Sequence, residues 1–179
     1  MPEFEFDDFI IYPVQEKDAW RLCDFVIINS DRLKKYFPRT LALNLTPDLS
    51  KYFASKKAKE FLRKEEFLFV LKERKNRAII GLIYLKKLDW NKGQAELAYA
   101  ITKTFEGKGY TTKSVAKLSM WAFQQGFRTL QVVVNKENTS SIRVAEKCGF
   151  TWRTTLLKEY TPEQGPTLDM ELYELSNER

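Results

Sequence analysis

The chain has 179 residues, 44% of them hydrophobic and 14% aromatic, with a formal net charge of +6; that length suits one domain over 1–179 with a full core, and the aromatic content argues against disorder. No run approaches ~18 uncharged apolar residues, and the acidic opening Glu3, Glu5, Asp7 and Asp8 is the opposite of a signal peptide, so no membrane contact and a cytoplasmic location are expected. There is no histidine, which rules out Ser-His and Cys-His nucleophile pairs and any histidine-ligated metal, and no metal is expected.

Residues 4–12 alternate loosely, with Phe4, Phe6, Phe9, Ile10 and Ile11, and suit a first strand. Trp20, Leu22, Cys23, Phe25 and Val26 predict a helix from Gln15 to about Ile28. A second, short helix holds Leu33, Tyr36 and Phe37 and stops before Pro38. Thr46-Pro47 reads as an N-cap followed by a first-turn proline, so a third helix runs to about Lys64. Phe67–Lys72 and Ala78–Leu88 read as strands, and after the turn Asp89–Gly93 the chain returns as a strand over Gln94–Thr102. Residues 51–77 carry ten Lys/Arg against four Glu, which is either a solvated face or a surface for an anionic partner such as ribosomal RNA.

Thr112–Gln125 shows helical spacing through Val115, Leu118 and Ala122, with Gly126 placed to cap it. Thr129–Val134 is an apolar, β-branched run expected as a buried strand, and Asn138–Ser141 opens a last helix ending at Gly149. Two closing strands follow at about 151–159 and 167–175. The expected fold is one α/β domain with a mixed sheet. Cys23 and Cys148 have no CxxC or zinc spacing, and both read as buried thiols in a reducing compartment.

The chemistry concentrates in Phe105-Glu106-Gly107-Lys108-Gly109-Tyr110-Thr111-Thr112-Lys113, between a strand and a helix. Two glycines one residue apart let backbone N–H groups point the same way, and the following helix aims its positive end at the same spot. An anion, most naturally phosphate, fits there. The turn lacks the third glycine of GxGxxG, and the Walker pattern is absent. Taken alone, Gly107-Lys108-Gly109 also reads as a plain tight turn.

The second element is Val132-Val133-Val134-Asn135-Lys136-Glu137-Asn138-Thr139-Ser140-Ser141, followed by Arg143–Phe150. With the glycine turn it resembles the GNAT N-acetyltransferase superfamily, and within it the RimJ/RimL-type branch, whose members acetylate ribosomal-protein N-termini or other amines. The resemblance implies a single GNAT-like domain with a mostly antiparallel central sheet, splayed at the cofactor site and flanked by helices. It implies acetyl-CoA as cofactor, with its pyrophosphate held by Gly107, Lys108, Gly109, Tyr110, Thr111 and Thr112. Glu106 and Thr111 depart from the family pattern Q/R-x-x-G-x-G/A, so Glu106 is expected to face solvent or to cap the neighbours of Gly109, leaving the backbone as the main anion ligand.

Ala95–Ile101 is similar to the family's A-E-I-G-Y-W-L strand, which implies that backbone N–H groups near Ala100 or Ile101 meet the thioester carbonyl. Asn138 matches the asparagine that holds the pantetheine arm, and it also reads as the N-cap of the last helix. Lys147 is placed to reach the adenosine 3′-phosphate. Where the superfamily often has a tyrosine acid, this chain has Ala145; RimL-like members place a serine where Ser141 stands, and that resemblance implies Ser141 as the acid, directly or through water. Glu96 is the candidate general base, or else an outward-facing strand carboxylate. The expected reaction is direct attack of a primary amine, a protein N-terminus, on acetyl-CoA in a ternary complex. The alternatives are acetylation of a polyamine, amino acid or antibiotic, and a catalytically weak module that binds RNA or the ribosome. The amine acceptor and the ribosome are the expected partners, for a monomer or a homodimer.

Overall fold

In a computed structural model of the chain, Phe4–Phe6 (β1) and Phe9–Pro13 (β2) form two antiparallel strands where one was expected. The break is at Asp7, whose φ of 47° lies in the left-handed region that Asp tolerates better than most residues. The structure describes residues 1–177; the last two positions of the expected domain lie outside the described residues.

The remaining elements follow the predicted order. A 3-10 turn at Glu16–Asp18 leads into α1 (Ala19–Ile28), followed by α2 (Ser30–Tyr36), α3 (Pro38–Ala42) and α4 (Pro47–Leu62). Then come β3 (Phe67–Glu73), β4 (Ile79–Asp89), β5 (Gln94–Ile101), α5 (Tyr110–Gln124), β6 (Thr129–Val134), α6 (Thr139–Lys147), β7 (Thr151–Tyr160) and β8 (Leu168–Ser176). The unanticipated helix is α3. Pro38 occupies its first turn, where a missing N–H does no harm, and buried Thr40 shares a 2.8 Å hydrogen bond with the Tyr84 hydroxyl. Thr46 caps α4 as its sequence suggests, accepting from the Leu49 N–H.

The eight strands are ordered β1-β2-β3-β4-β5-β6-β8-β7. The β5–β6 pairing is parallel, and a parallel pair needs a long crossover, which α5 provides. By internal contacts the chain divides into two compact units: Met1–Tyr84 with Tyr99–Thr111, and Leu85–Ala98 with the segment from Thr112 onward.

In the first unit, Ile11, Leu22, Phe25, Leu33, Leu68, Phe69 and Leu71 are essentially sealed from solvent. Phe61 of α4 packs edge-on against Phe67 and Phe69, with ring centroids 4.8 and 5.5 Å apart. In the second unit, Val115, Leu118 and Ala122 of α5 are buried, as are Phe127, Leu130 and Val132. Gly126, at φ 105°, lets α5 turn out of its last turn, and the Phe127 N–H returns to the Ala122 carbonyl.

At the end of the sheet, the β7–β8 register slips between Trp152 and Thr154 and again between Leu156 and Tyr160. Within the second slip, Lys158 adopts φ 51°, and its N–H donates to Asp169 Oδ1 at 2.8 Å. Cys23 is buried as expected, but Cys148 is only half-buried. Among the described residues, no helix is long and apolar enough to cross a membrane.

Candidate functional site

After β5 the chain passes through a 3-10 turn at Lys103–Phe105 and an extended Glu106, then reaches Gly107 at φ 72° and Gly109 at φ 80°. Both values are left-handed, which explains why glycine stands at each. A Cβ on either would meet nothing within 4 Å, so this backbone faces open space. Helix α5 begins at Tyr110. Its first N–H groups, beginning with Tyr110, Thr111 and Thr112, are those that a helix does not itself satisfy. The Tyr110 ring anchors the start of the helix on Phe9, with centroids 4.4 Å apart. Lys108 is exposed, and its Nζ lies 5.5 Å from the centre of the Phe105 ring. Open, left-handed backbone leading into a positive helix end is a geometry that can accept an anion.

Glu106 neither points freely to solvent nor caps the turn, which corrects the expectation. Its Oε1 lies 2.5 Å from Arg32 Nη2 of α2, with both side chains about one-third exposed. Arg32 also donates from Nη1 to the Ile101 carbonyl at 3.0 Å, so one guanidinium holds the end of β5 and the residue before the glycine turn. Asn29 adds a second hold, donating to Thr102 Oγ1 at 3.0 Å and to the Phe25 carbonyl at 2.7 Å. No sequence signal points to Arg32, which lies more than sixty residues from its partners and carries no motif.

Along β5, Ala100 is half-buried and Ile101 is buried. The Ala100 carbonyl approaches Gly81 so closely that a Cβ there would stand 3.0 Å from it. The β5–β6 ladder pairs Gln94, Ala95 and Glu96 with Thr129, Leu130 and Gln131, and β6 pairs along its length with β8.

Glu96 is buried, at 5% exposure, and is not an outward-facing carboxylate. Lys86 Nζ lies 3.1 Å from its Oε1, and Lys87 Nζ 2.8 Å from its Oε2. Burial alone would lower the Lys87 pKa, but the hydrogen bond and charge of Glu96, joined by Glu159, raise it above its ordinary value. Lys87 adopts φ 48° at this point of β4, a strained conformation that places the ammonium on Glu96 and that no periodicity announces.

Asn138 caps α6, its Oδ1 accepting from the Ser141 N–H at 3.4 Å and the Ser140 hydroxyl at 3.2 Å. Ser141, in the first turn, is half-buried, and Lys147, in the last turn, is exposed. Ala145 of the same helix is fully buried. Just past α6, Cys148 donates from Sγ to the Thr112 carbonyl at 3.4 Å, tying the end of α6 to the first turn of α5. Burial pushes its thiol pKa from 9.0 to about 11. Of the candidate residues, Ala100, Ile101 and Gly107–Thr111 belong to the first unit, while Glu96, Thr112, Asn138, Ser141 and Lys147 belong to the second.

Residues 8–151 match the family described as Acetyltransferase (GNAT) domain. Among curated proteins, the chain is 29% identical over 146 residues to the "Putative ribosomal N-acetyltransferase YdaF" of Bacillus subtilis (strain 168), covering 76% of this chain and 74% of that protein. It is 28% identical over 98 residues to the "Uncharacterized N-acetyltransferase p20" of Bacillus licheniformis, and this match spans about half of each, 54%. Among solved structures, the ribosomal-protein-S5-alanine acetyltransferase of Vibrio fischeri superposes with a TM-score of 0.92 at 19% identity, covering 99% of this chain and 98% of that one. That likeness establishes the fold.

Proposed function

The chain belongs to the GNAT acetyltransferase family, whose members are acetyl-CoA-dependent acyltransferases, and we propose that it acetylates the primary amine of a protein N-terminus, with a ribosomal protein as acceptor. The observation that carries the reading is the glycine turn, with two left-handed glycines facing open space and leading directly into α5. The similarity to YdaF over three-quarters of the chain supports the acceptor class.

Bound acetyl-CoA supplies a thioester whose carbonyl carbon an unprotonated amine attacks, leaving a thiol. In our reading, the N–H groups of Gly107 to Thr112 hold the pyrophosphate by backbone alone, with Lys108 adding charge. This arrangement tolerates Glu106, because Arg32 holds that carboxylate. Asn138 uses its Oδ1 to cap α6 and offers its amide N–H groups to the pantetheine arm. N–H groups near Ala100 and Ile101 stabilise charge growing on the carbonyl oxygen. Ser141 relays a proton from solvent water to the departing sulfur, so its own hydroxyl is restored in the same step. Because a thiol has an ordinary pKa near ~8.5, this assistance contributes modestly. Glu96 accepts the proton lost by the amine, through water, while Lys86 and Lys87 fix its position. Lys147, exposed at the end of α6, meets the 3′-phosphate. The two compact units together make one acetyltransferase domain in this reading.

The test follows free thiol while the protein is incubated with acetyl-CoA and a panel of N-terminal peptides, intact ribosomal proteins and polyamines. Turnover with peptides or ribosomal proteins is expected. Turnover confined to polyamines would replace the acceptor class. Absence of CoA binding by calorimetry would remove the enzymatic reading altogether.

A further inference from the structure

A second cluster of charge lies in the first unit, unused by acetyl transfer. A cleft of about 430 Å³ is lined by Lys17, Arg21, Lys72 and Arg77 around Tyr12 and Asp18. The four cations come from the 3-10 turn, α1, β3 and the turn between β3 and β4. Elements far apart in sequence thus converge on one concavity.

The floor of the cleft is built rather than incidental. Asp18, 1% exposed, accepts the Tyr12 hydroxyl at 2.7 Å and the Gln15 N–H at 3.0 Å. Lys72 donates to the Tyr12 oxygen at 3.1 Å and lies 3.9 Å from Asp18. The Arg21 guanidinium is steered toward the β3–β4 turn by a 3.2 Å hydrogen bond to the Asn76 carbonyl.

Positive charge remains in excess. With Arg74, Glu3 and Glu73 included, the lining holds five cations against three carboxylates, a formal excess of two. Arg74 is taken by an ion pair with Glu5, whereas Lys17 and Arg77 make no ion pair among the described residues. The Lys72 pKa reports the same field. Burial lowers it and Asp18 opposes that, but Arg77, Arg21 and Lys17 push it further down, and the net shift is downward. A concavity lined mainly by one sign of charge focuses its field on an incoming counter-ion. Guanidinium forks beside an ammonium match the oxygens of a phosphate better than a single carboxylate.

This cleft is separate from the glycine turn. Phe9 and Ile10 are neighbours in β2, so their side chains leave opposite faces of the sheet. Phe9 packs on Tyr110 at the start of α5, and Ile10 lines the cleft. We propose that the cleft binds a phosphate group, carried by a free nucleotide or by an RNA backbone, at a site distinct from the one that holds acetyl-CoA.

The experiment uses the full chain saturated with CoA, so that no phosphate probe gains by entering the glycine turn. AMP is titrated by calorimetry, and a short fluorescent single-stranded RNA by anisotropy over a series of salt concentrations. The comparison is the double variant Lys17→Gln/Arg77→Gln, which alters two exposed side chains outside the acetyl-transfer machinery. At least one probe is expected to bind, with affinity about tenfold weaker in the variant, equivalent to ~1.4 kcal/mol. If RNA is the ligand, the slope of log K against log salt falls by ~1.4 in the variant, about 0.7 per lost phosphate contact. The rate of acetyl transfer to a peptide is expected to be unchanged. Binding of AMP alone identifies a free nucleotide as the source, and binding of RNA alone identifies the backbone. Neither probe binding below ~1 mM, or equal binding by the variant, overturns the proposal.

Discussion

Glu106 Oε1 lies 2.5 Å from Arg32 Nη2, so the acidic residue entering the glycine turn is held by a helix that precedes it by more than seventy residues. Without that guanidinium, a carboxylate would stand next to the backbone assigned to pyrophosphate. Arg32→Met is therefore expected to weaken CoA binding about tenfold, ~1.4 kcal/mol. The double variant Arg32→Met/Glu106→Gln is expected to recover much of the loss. An ion pair about one-third exposed contributes only ~0–1 kcal/mol to stability, so the thermal midpoint should move little. Calorimetric titration of both variants decides this, and a single variant that binds CoA like the parent refutes the assignment.

Asn138 serves α6 through its oxygen, which leaves the amide nitrogen for a ligand. Asn138→Asp keeps an N-cap acceptor and removes the donor, whereas Asn138→Ala removes both. The Asp variant should melt like the parent yet bind acetyl-CoA several-fold more weakly, as expected for one hydrogen bond of ~1 kcal/mol. The Ala variant should also lose about 1 kcal/mol of stability from the missing cap. Melting curves beside binding isotherms separate the two roles.

Ser141 touches the cap through its backbone N–H, so Ser141→Ala leaves that bond in place. Turnover is expected to fall by no more than about tenfold, with KM for acetyl-CoA nearly unchanged, as for the loss of a modest general acid. An unchanged kcat would remove the acid role.

Glu96 is buried between two lysines, and a base and a structural carboxylate predict different outcomes for Glu96→Gln. If Glu96 takes the amine proton, kcat/KM drops about a hundredfold while the thermal midpoint moves little. If it only neutralises Lys86 and Lys87, the variant melts earlier while kcat/KM for the folded protein is nearly unchanged. We expect the first outcome.

Cys148 has its thiol pKa pushed by burial from 9.0 to about 11. At mildly alkaline pH the native protein should react with maleimide far more slowly than the unfolded chain, because the thiolate is the nucleophile. The sign also fixes a stability window. The folded state holds this proton more tightly, so its contribution is intact below pH 9.0 and is lost as pH rises toward about 11. Cys148→Ser should flatten that part of the stability profile, measured by denaturant titration.

Most of the architecture is legible in the sequence because helices and strands announce themselves by period. The spacing of Val115, Leu118 and Ala122 marks α5, and Thr46-Pro47 marks the start of α4. The hairpin of β1 and β2 escapes such a reading because its bend uses Asp7 in a left-handed conformation with no glycine to mark it. Helix α3 escapes it because Pro38 signals the end of α2 as clearly as the beginning of a new helix. At the candidate site, the glycine turn and the Asn138 cap are local and therefore readable. The grip of Arg32 on Glu106 and the enclosure of Glu96 by Lys86 and Lys87 are not. Each joins side chains through folding rather than spacing, and charge patterning along one sequence does not say which ions meet.

The slips in β7 bear on how these molecules behave toward one another. An outermost strand with an even row of N–H and C=O groups invites a strand from another molecule and can seed fibrils. Here that row is interrupted twice, Lys158 turns left-handed inside the second interruption, and Arg153, Lys158 and Glu159 set charge along it. A strand so interrupted and charged is a poor template for pairing edge to edge.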